Sequence, residues 1–277
     1  MATLRGVSGR PRLALHWRIV VVFAGTVLVW LFLSHDALLG RDYSRTTHVA
    51  RAVLTTALVV PLVVAARRLL DRRPWAGLGL PPLRAGWRRL LLGMVCWLVP
   101  AAIGFALCLG LGWVEISLRT SPGDAVRVAA LLVVLVFLYE ALPEELVFRG
   151  YLQHTVATRL PAWQAAVGQA ALFTLFGFLV GAARSPDRLA LFFVFALLLG
   201  GFRAATGDIW AGIGFHVAFQ TVAQLFGDVG GVFDVRGADV LGGVAMGAIP
   251  FAVGWTVVRH LYRDRLAWRA VRPETVS

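Results

Sequence analysis

The stretch Leu90-Leu91-Leu92-Gly93-Met94-Val95-Cys96-Trp97-Leu98-Val99-Pro100-Ala101-Ala102-Ile103-Gly104-Phe105-Ala106-Leu107-Cys108-Leu109-Gly110-Leu111-Gly112-Trp113 carries no Arg, Lys, Asp or Glu and directly follows Arg88-Arg89. It exceeds the roughly 18 apolar residues that mark a membrane-crossing helix. In hydrocarbon the backbone must satisfy its own polar groups, and a long run without alternation does so as a helix, not as a barrel strand. Comparable runs lie at Trp17–Leu33, Val49–Ala66, Ala125–Leu142, Trp163–Ala182, Leu189–Phe202, Trp210–Phe226 and Val240–Val258, the 189–202 run being the shortest. The expected fold class is all-α: a polytopic transmembrane helix bundle of about eight spans. No internal repeat or separate soluble domain is visible. The chain divides into N-terminal spans and a basic loop (1–124), a helical core (125–226), and a final span with a basic tail (227–277).

Composition agrees with this reading. Of 277 residues, 58% are hydrophobic and 15% charged, with a mean hydropathy of +0.75. Soluble domains run to about half apolar and a quarter charged. The net charge of +12 comes from 27 arginines and no lysine. A nucleic-acid-binding surface would gather them, whereas here they flank the apolar runs. Seven arginines against Asp71 occupy 67–89, and five follow Val258, while 227–239 holds Asp228, Asp234 and Asp239 against Arg236. The positive-inside rule places both termini and the 67–89 loop in the cytoplasm and the acidic loop outside. The first run is read as a retained span, too long for a signal peptide's core of about 7–15 residues. Partners are expected to be membrane lipid and a peptide or membrane-protein substrate, in a bacterial inner membrane. Cys96 and Cys108, about 18 Å apart on a continuous helix, are too distant for a disulfide.

Ionisable side chains inside spans are costly and mark function by default. Most charges sit at span ends; the exceptions are Glu140, Glu144, Glu145, Arg149 and His216. In Glu140-Ala141-Leu142-Pro143-Glu144-Glu145-Leu146-Val147-Phe148-Arg149-Gly150, Pro143 either kinks a helix or begins a new one. In the second case both glutamates fall in a first turn, where the helix dipole favours negative charge. Glu145 and Arg149 share a face, and Glu144 points about 100° away. One carboxylate can then be held by the guanidinium while the other stays free as a general base. Spacing alone fits an interfacial charge cluster at least as well. Farther on, His216 and Gln220 share one face of an apolar helix and can offer donors to a carbonyl oxygen; a buried histidine satisfied by a neighbouring helix is the alternative. No metal set is legible, because His216-x-x-x-Gln220 lacks a second nitrogen or a thiolate. No phosphate-binding loop is present, so no cofactor is expected. The glycines at 200–214 read as close helix contacts.

These motifs resemble the CPBP intramembrane proteases, which include the type II CAAX prenyl endopeptidases and bacteriocin-processing or immunity-type members. Glu144-Glu145-x-x-x-Arg149-Gly150-Tyr151-Leu152 matches the first family motif in full, and the resemblance spans roughly 125–226. It implies a bundle of about eight helices. It also implies that Glu144 activates water, that Glu145 and Arg149 support it, and that His216 holds the oxyanion with the residue four positions on. Two departures stand out. Position 220 is Gln, not Asn, and the second motif reads Phe173-Thr174-Leu175-Phe176-Gly177, with glycine at the family's histidine. The expected activity is a metal-independent intramembrane endopeptidase cutting near the cytoplasmic surface. A non-catalytic relative binding a peptide or helix, as chaperone or immunity factor, is the alternative, and a transporter is a third. A protease that lost its histidine would leave room beside Gly177; a repurposed cavity would have closed around it.

Overall fold

The computed structural model describes residues 13–34, 44–227, 231–261 and 268–271. It is an all-α polytopic bundle: α1 (Leu15–Leu33), α2 (Arg45–Leu70), α3 (Leu83–Gly110), α4 (Pro122–Ala157), α5 (Ala162–Leu179), α6 (Pro186–Thr206), α7 (Trp210–Phe226) and α8 (Ala238–His260). Seven of the helical stretches are long and apolar enough to cross a membrane. The run at 189–202 extends to 21 residues, because Pro186 and Asp187 enter its first turn and Arg203 its last. The shortest of the eight is instead α7, at 17 residues and largely enclosed by its neighbours.

Pro143 does not begin a helix. It lies inside α4, a single run of 36 residues, so Glu144 and Glu145 are far from any helix N-terminus and the dipole reading fails. The ladder widens into π turns at Phe137–Ala141 and again at Glu145–Gln153. A π pattern bonds each N–H to the carbonyl five residues back. Proline has no N–H for Leu138, and that freed carbonyl accepts instead from the Thr56 hydroxyl of α2. A neighbouring helix thus satisfies the backbone group that proline orphaned, as a bilayer interior requires.

One end of the bundle is rich in arginine. There Asp71, just past α2 and fully buried, accepts from Arg18 of α1 (2.8 Å), Arg67 of α2 (3.2 Å) and Tyr151 of α4 (3.0 Å). The Gly79 and Pro81 carbonyls bind the Ile209 N–H and the Trp210 indole at the start of α7. Residues 268–271 pair with the start of α5 through Trp163 N–H to the Trp268 carbonyl. At the opposite end, β1 (Glu115–Leu118) and β2 (Phe233–Arg236) form an antiparallel pair with Glu115 opposite Arg236. Neither strand is legible in the sequence, since four residues show too little alternation.

α3 and α7 meet backbone to backbone. A Cβ on Gly93 would lie 2.0 Å from the Ala211 carbonyl oxygen, and one on Gly214 2.0 Å from that of Leu90. Small residues let transmembrane helices approach this closely. Cys96 and Cys108 are free and buried in α3.

Candidate active site

α4 supplies two adjacent carboxylates with different surroundings. Glu145 is fully buried; its Oε1 accepts from Arg149 Nη1 at 2.9 Å and lies 3.2 Å from His216 Nδ1 of α7. The remaining guanidinium nitrogens, Nε and Nη2, have no hydrogen-bond partner among the described residues, and the Arg149 guanidinium carbon sits 4.7 Å from the Phe173 ring centroid. Such a cation–π contact adds attraction where hydrogen bonds are lacking. Gly212 makes room for the carboxylate, because a Cβ there would lie 2.7 Å from Glu145 Oε2.

His216 joins the two carboxylates. A carboxylate only accepts, so the proton on the Glu145 side belongs to Nδ1, which leaves Nε2 facing Glu144. Nε2 lies 3.8 Å from Glu144 Oε2, beyond direct hydrogen-bond reach. The Phe195 edge closes on the imidazole at a centroid distance of 4.8 Å.

Glu144 borders a cavity of about 440 Å³, as do Glu140, His216 and Gln220. Trp30, Phe173, Phe176, Phe192 and Phe195 form its apolar wall. Ser34, Gly181, Ala182, Arg188 and Gly227 also line it; they terminate α1, α5 and α7 and open α6, all at the strand end. The cavity therefore opens away from the arginine-rich end. On the other side of the glutamates the fold is closed, with Gly150 against the Leu78 carbonyl. A larger apolar groove of about 1010 Å³ runs along α6, α7 and α8 and shares Phe219 and Ala223 with this cavity.

The structure thus brings Glu144, Glu145, Arg149, His216 and Gln220 together from two helices, with the contacting pair Glu145 and His216 lying 71 residues apart in sequence. Beside Gly177 there is no room: an added Cβ would lie 2.4 Å from the Phe192 ring. Of the two alternatives for this place, room or closure, the structure has the closed one, since α6 fills it with an aromatic side chain. Sequence reasoning named Glu140 but gave it no part in the site. Its signal was the four-residue spacing to Glu144, and Gln224 Nε2 donates to its Oε1 at 2.8 Å. Among the described residues, no group of three His, Cys, Asp or Glu is placed to hold a metal ion.

Residues 126–222, α4 after its first turn through most of α7, match the family model described as Rce1-like, type II CAAX prenyl endopeptidase. No curated protein matches the chain.

Proposed function

On the premise that residues 126–222 have the fold of a CAAX-type intramembrane protease, we propose that the protein is a glutamic-type endopeptidase acting within the membrane. Glu144 takes a proton from water as that water attacks a peptide carbonyl. The observation that carries this reading is the division between neighbouring carboxylates. Glu145 is held by Arg149 and His216, whereas Glu144 faces the cavity with 7% of its surface exposed. Glu145 sets the imidazole, as the buried carboxylate of a catalytic triad orients its histidine. Gln220, and His216 when its Nε2 also carries a proton, then face the developing oxyanion, where fixed donors act most strongly in a water-poor site.

The substrate is a peptide or membrane protein with an apolar stretch that lies along the groove between α6, α7 and α8. If the arginine-rich end is cytoplasmic, as charge distribution argues, the scissile bond enters from the other side of the membrane. On that orientation cleavage falls toward the external surface, opposite to the side that the family resemblance suggests.

The test is purified protein in detergent against a quenched peptide library, wild type beside Glu144→Ala. Cleavage by the wild type alone supports the reading; cleavage by both removes Glu144 from the chemistry. One observation favours a second reading, a non-catalytic peptide-binding protein: the Phe192 ring occupies the space beside Gly177. Peptide binding without cleavage by either protein would establish that alternative.

A further inference from the structure

Amide hydrolysis moves two protons, one off the attacking water and one onto the departing nitrogen, because an amide anion does not leave. Glu144 accounts for the first. Glu140 lines the same cavity one helical turn earlier on α4, within the π turn Phe137–Ala141. Gln224 donates to its Oε1 at 2.8 Å and the Gln220 amide also approaches this carboxyl, while Oε2 is buried with no hydrogen-bond partner among the described residues. A buried oxygen left unpaired is costly unless another group uses it.

Charge counting points the same way. Inside the bundle Glu140, Glu144 and Glu145 face Arg149 and His216, whereas Arg188 lines the cavity from its exposed mouth, where water solvates it. Even with the imidazole protonated, one carboxylate charge is left over. Two carboxylates one turn apart in a desolvated cavity repel, and a shared proton removes the repulsion. The surroundings decide where that proton rests. Glu144 lies beside the imidazole, whereas the Glu140 Oε2, buried with no hydrogen-bond partner among the described residues, is a place for a hydroxyl hydrogen. Pairs of carboxyls whose environments differ in this way divide into acid and base.

We propose that Glu140 is a second catalytic carboxyl, the general acid that protonates the leaving amine while Glu144 acts on water. This inference rests on the endopeptidase reading. As the water oxygen bonds to the carbonyl carbon, its proton passes to the Glu144 carboxylate. As the C–N bond breaks, the Glu140 carboxyl gives its proton to nitrogen. The proton on Glu144 then returns to Glu140 through solvent, and the products are a carboxylic acid and an amine.

The experiment compares two substrates built on a library peptide that the wild type cleaves: the peptide amide, and the p-nitrophenyl ester of its acyl half. The phenolate departs without a proton, so only the amide needs the acid. Glu140→Gln should lower kcat/KM on the amide by about 10²-fold or more and on the ester by less than about tenfold. Glu144→Gln should abolish both. Equal losses on the two substrates, or none, in Glu140→Gln would overturn the proposal and leave Glu140 structural. If Glu140→Gln does not fold, Glu140→Asp replaces it: a fall in the amide-to-ester ratio supports the acid, and an unchanged ratio refutes it. A wild type that cleaves no library peptide refutes the endopeptidase reading itself, and this inference with it.

Discussion

Removing the Arg149 guanidinium tests how the site is held together. Arg149 and Glu145 are both fully buried and 2.9 Å apart, and the Glu145 carboxylate has His216 as its second partner. Arg149→Met keeps length and apolar volume but strands the carboxylate inside the bundle. Breaking a buried pair on one side costs about 3–5 kcal/mol, because the remaining charge is uncompensated. Loss of the contact over Phe173 adds about 0.5–2 kcal/mol. Replacing both partners behaves differently: two apolar side chains of similar volume are often neutral or stabilising. The double variant Arg149→Met/Glu145→Met should therefore be more stable than Arg149→Met alone, although inactive. Arg149→Lys should recover only part of the loss, since an ammonium lacks the planar fork. Unfolding in detergent, run as a double-mutant cycle, measures each quantity. A loss below about 1 kcal/mol for Arg149→Met, the range of exposed pairs, would show that water solvates the carboxylate and would refute the reasoning.

Gly177→His should destabilise by about 1–3 kcal/mol, because the imidazole must displace the Phe192 ring, and Phe192→Ala in the same chain should relieve that cost. Thermal stability of the single and double variants checks it. Asp71→Asn should cost about 3–5 kcal/mol by leaving Arg18 and Arg67 buried without their shared carboxylate, measured by denaturation in detergent. Reporter fusions after Gly86 and after Gly231 should report cytoplasmic and external locations; the same side for both would contradict the orientation.

Long apolar runs made the helices legible, because a backbone in hydrocarbon has few alternatives to a helix. The pairing of Glu145 with Arg149 was legible from a four-residue spacing. Other features depended on partners distant in sequence. Pro143 left a kink and a helix start equally open, because nothing local shows that Thr56 would satisfy the Leu138 carbonyl. Asp71 read as a lone acid in a basic loop, and its three donors come from three helices. The place beside Gly177 could not be judged from sequence, since the ring that fills it belongs to α6. The cavity mouth was hidden for the same reason: Ser34, Gly181 and Gly227 are unremarkable residues until four helix ends bring them together.

The measurement that bears most directly on the account is cleavage in oriented proteoliposomes, with a library-selected peptide offered from one side at a time. The account predicts cleavage when the peptide reaches the end that bears Ser34 and Gly227, and none for Glu144→Gln from either side. Cleavage that survives Glu144→Gln, or that occurs only from the arginine-rich end, would contradict it.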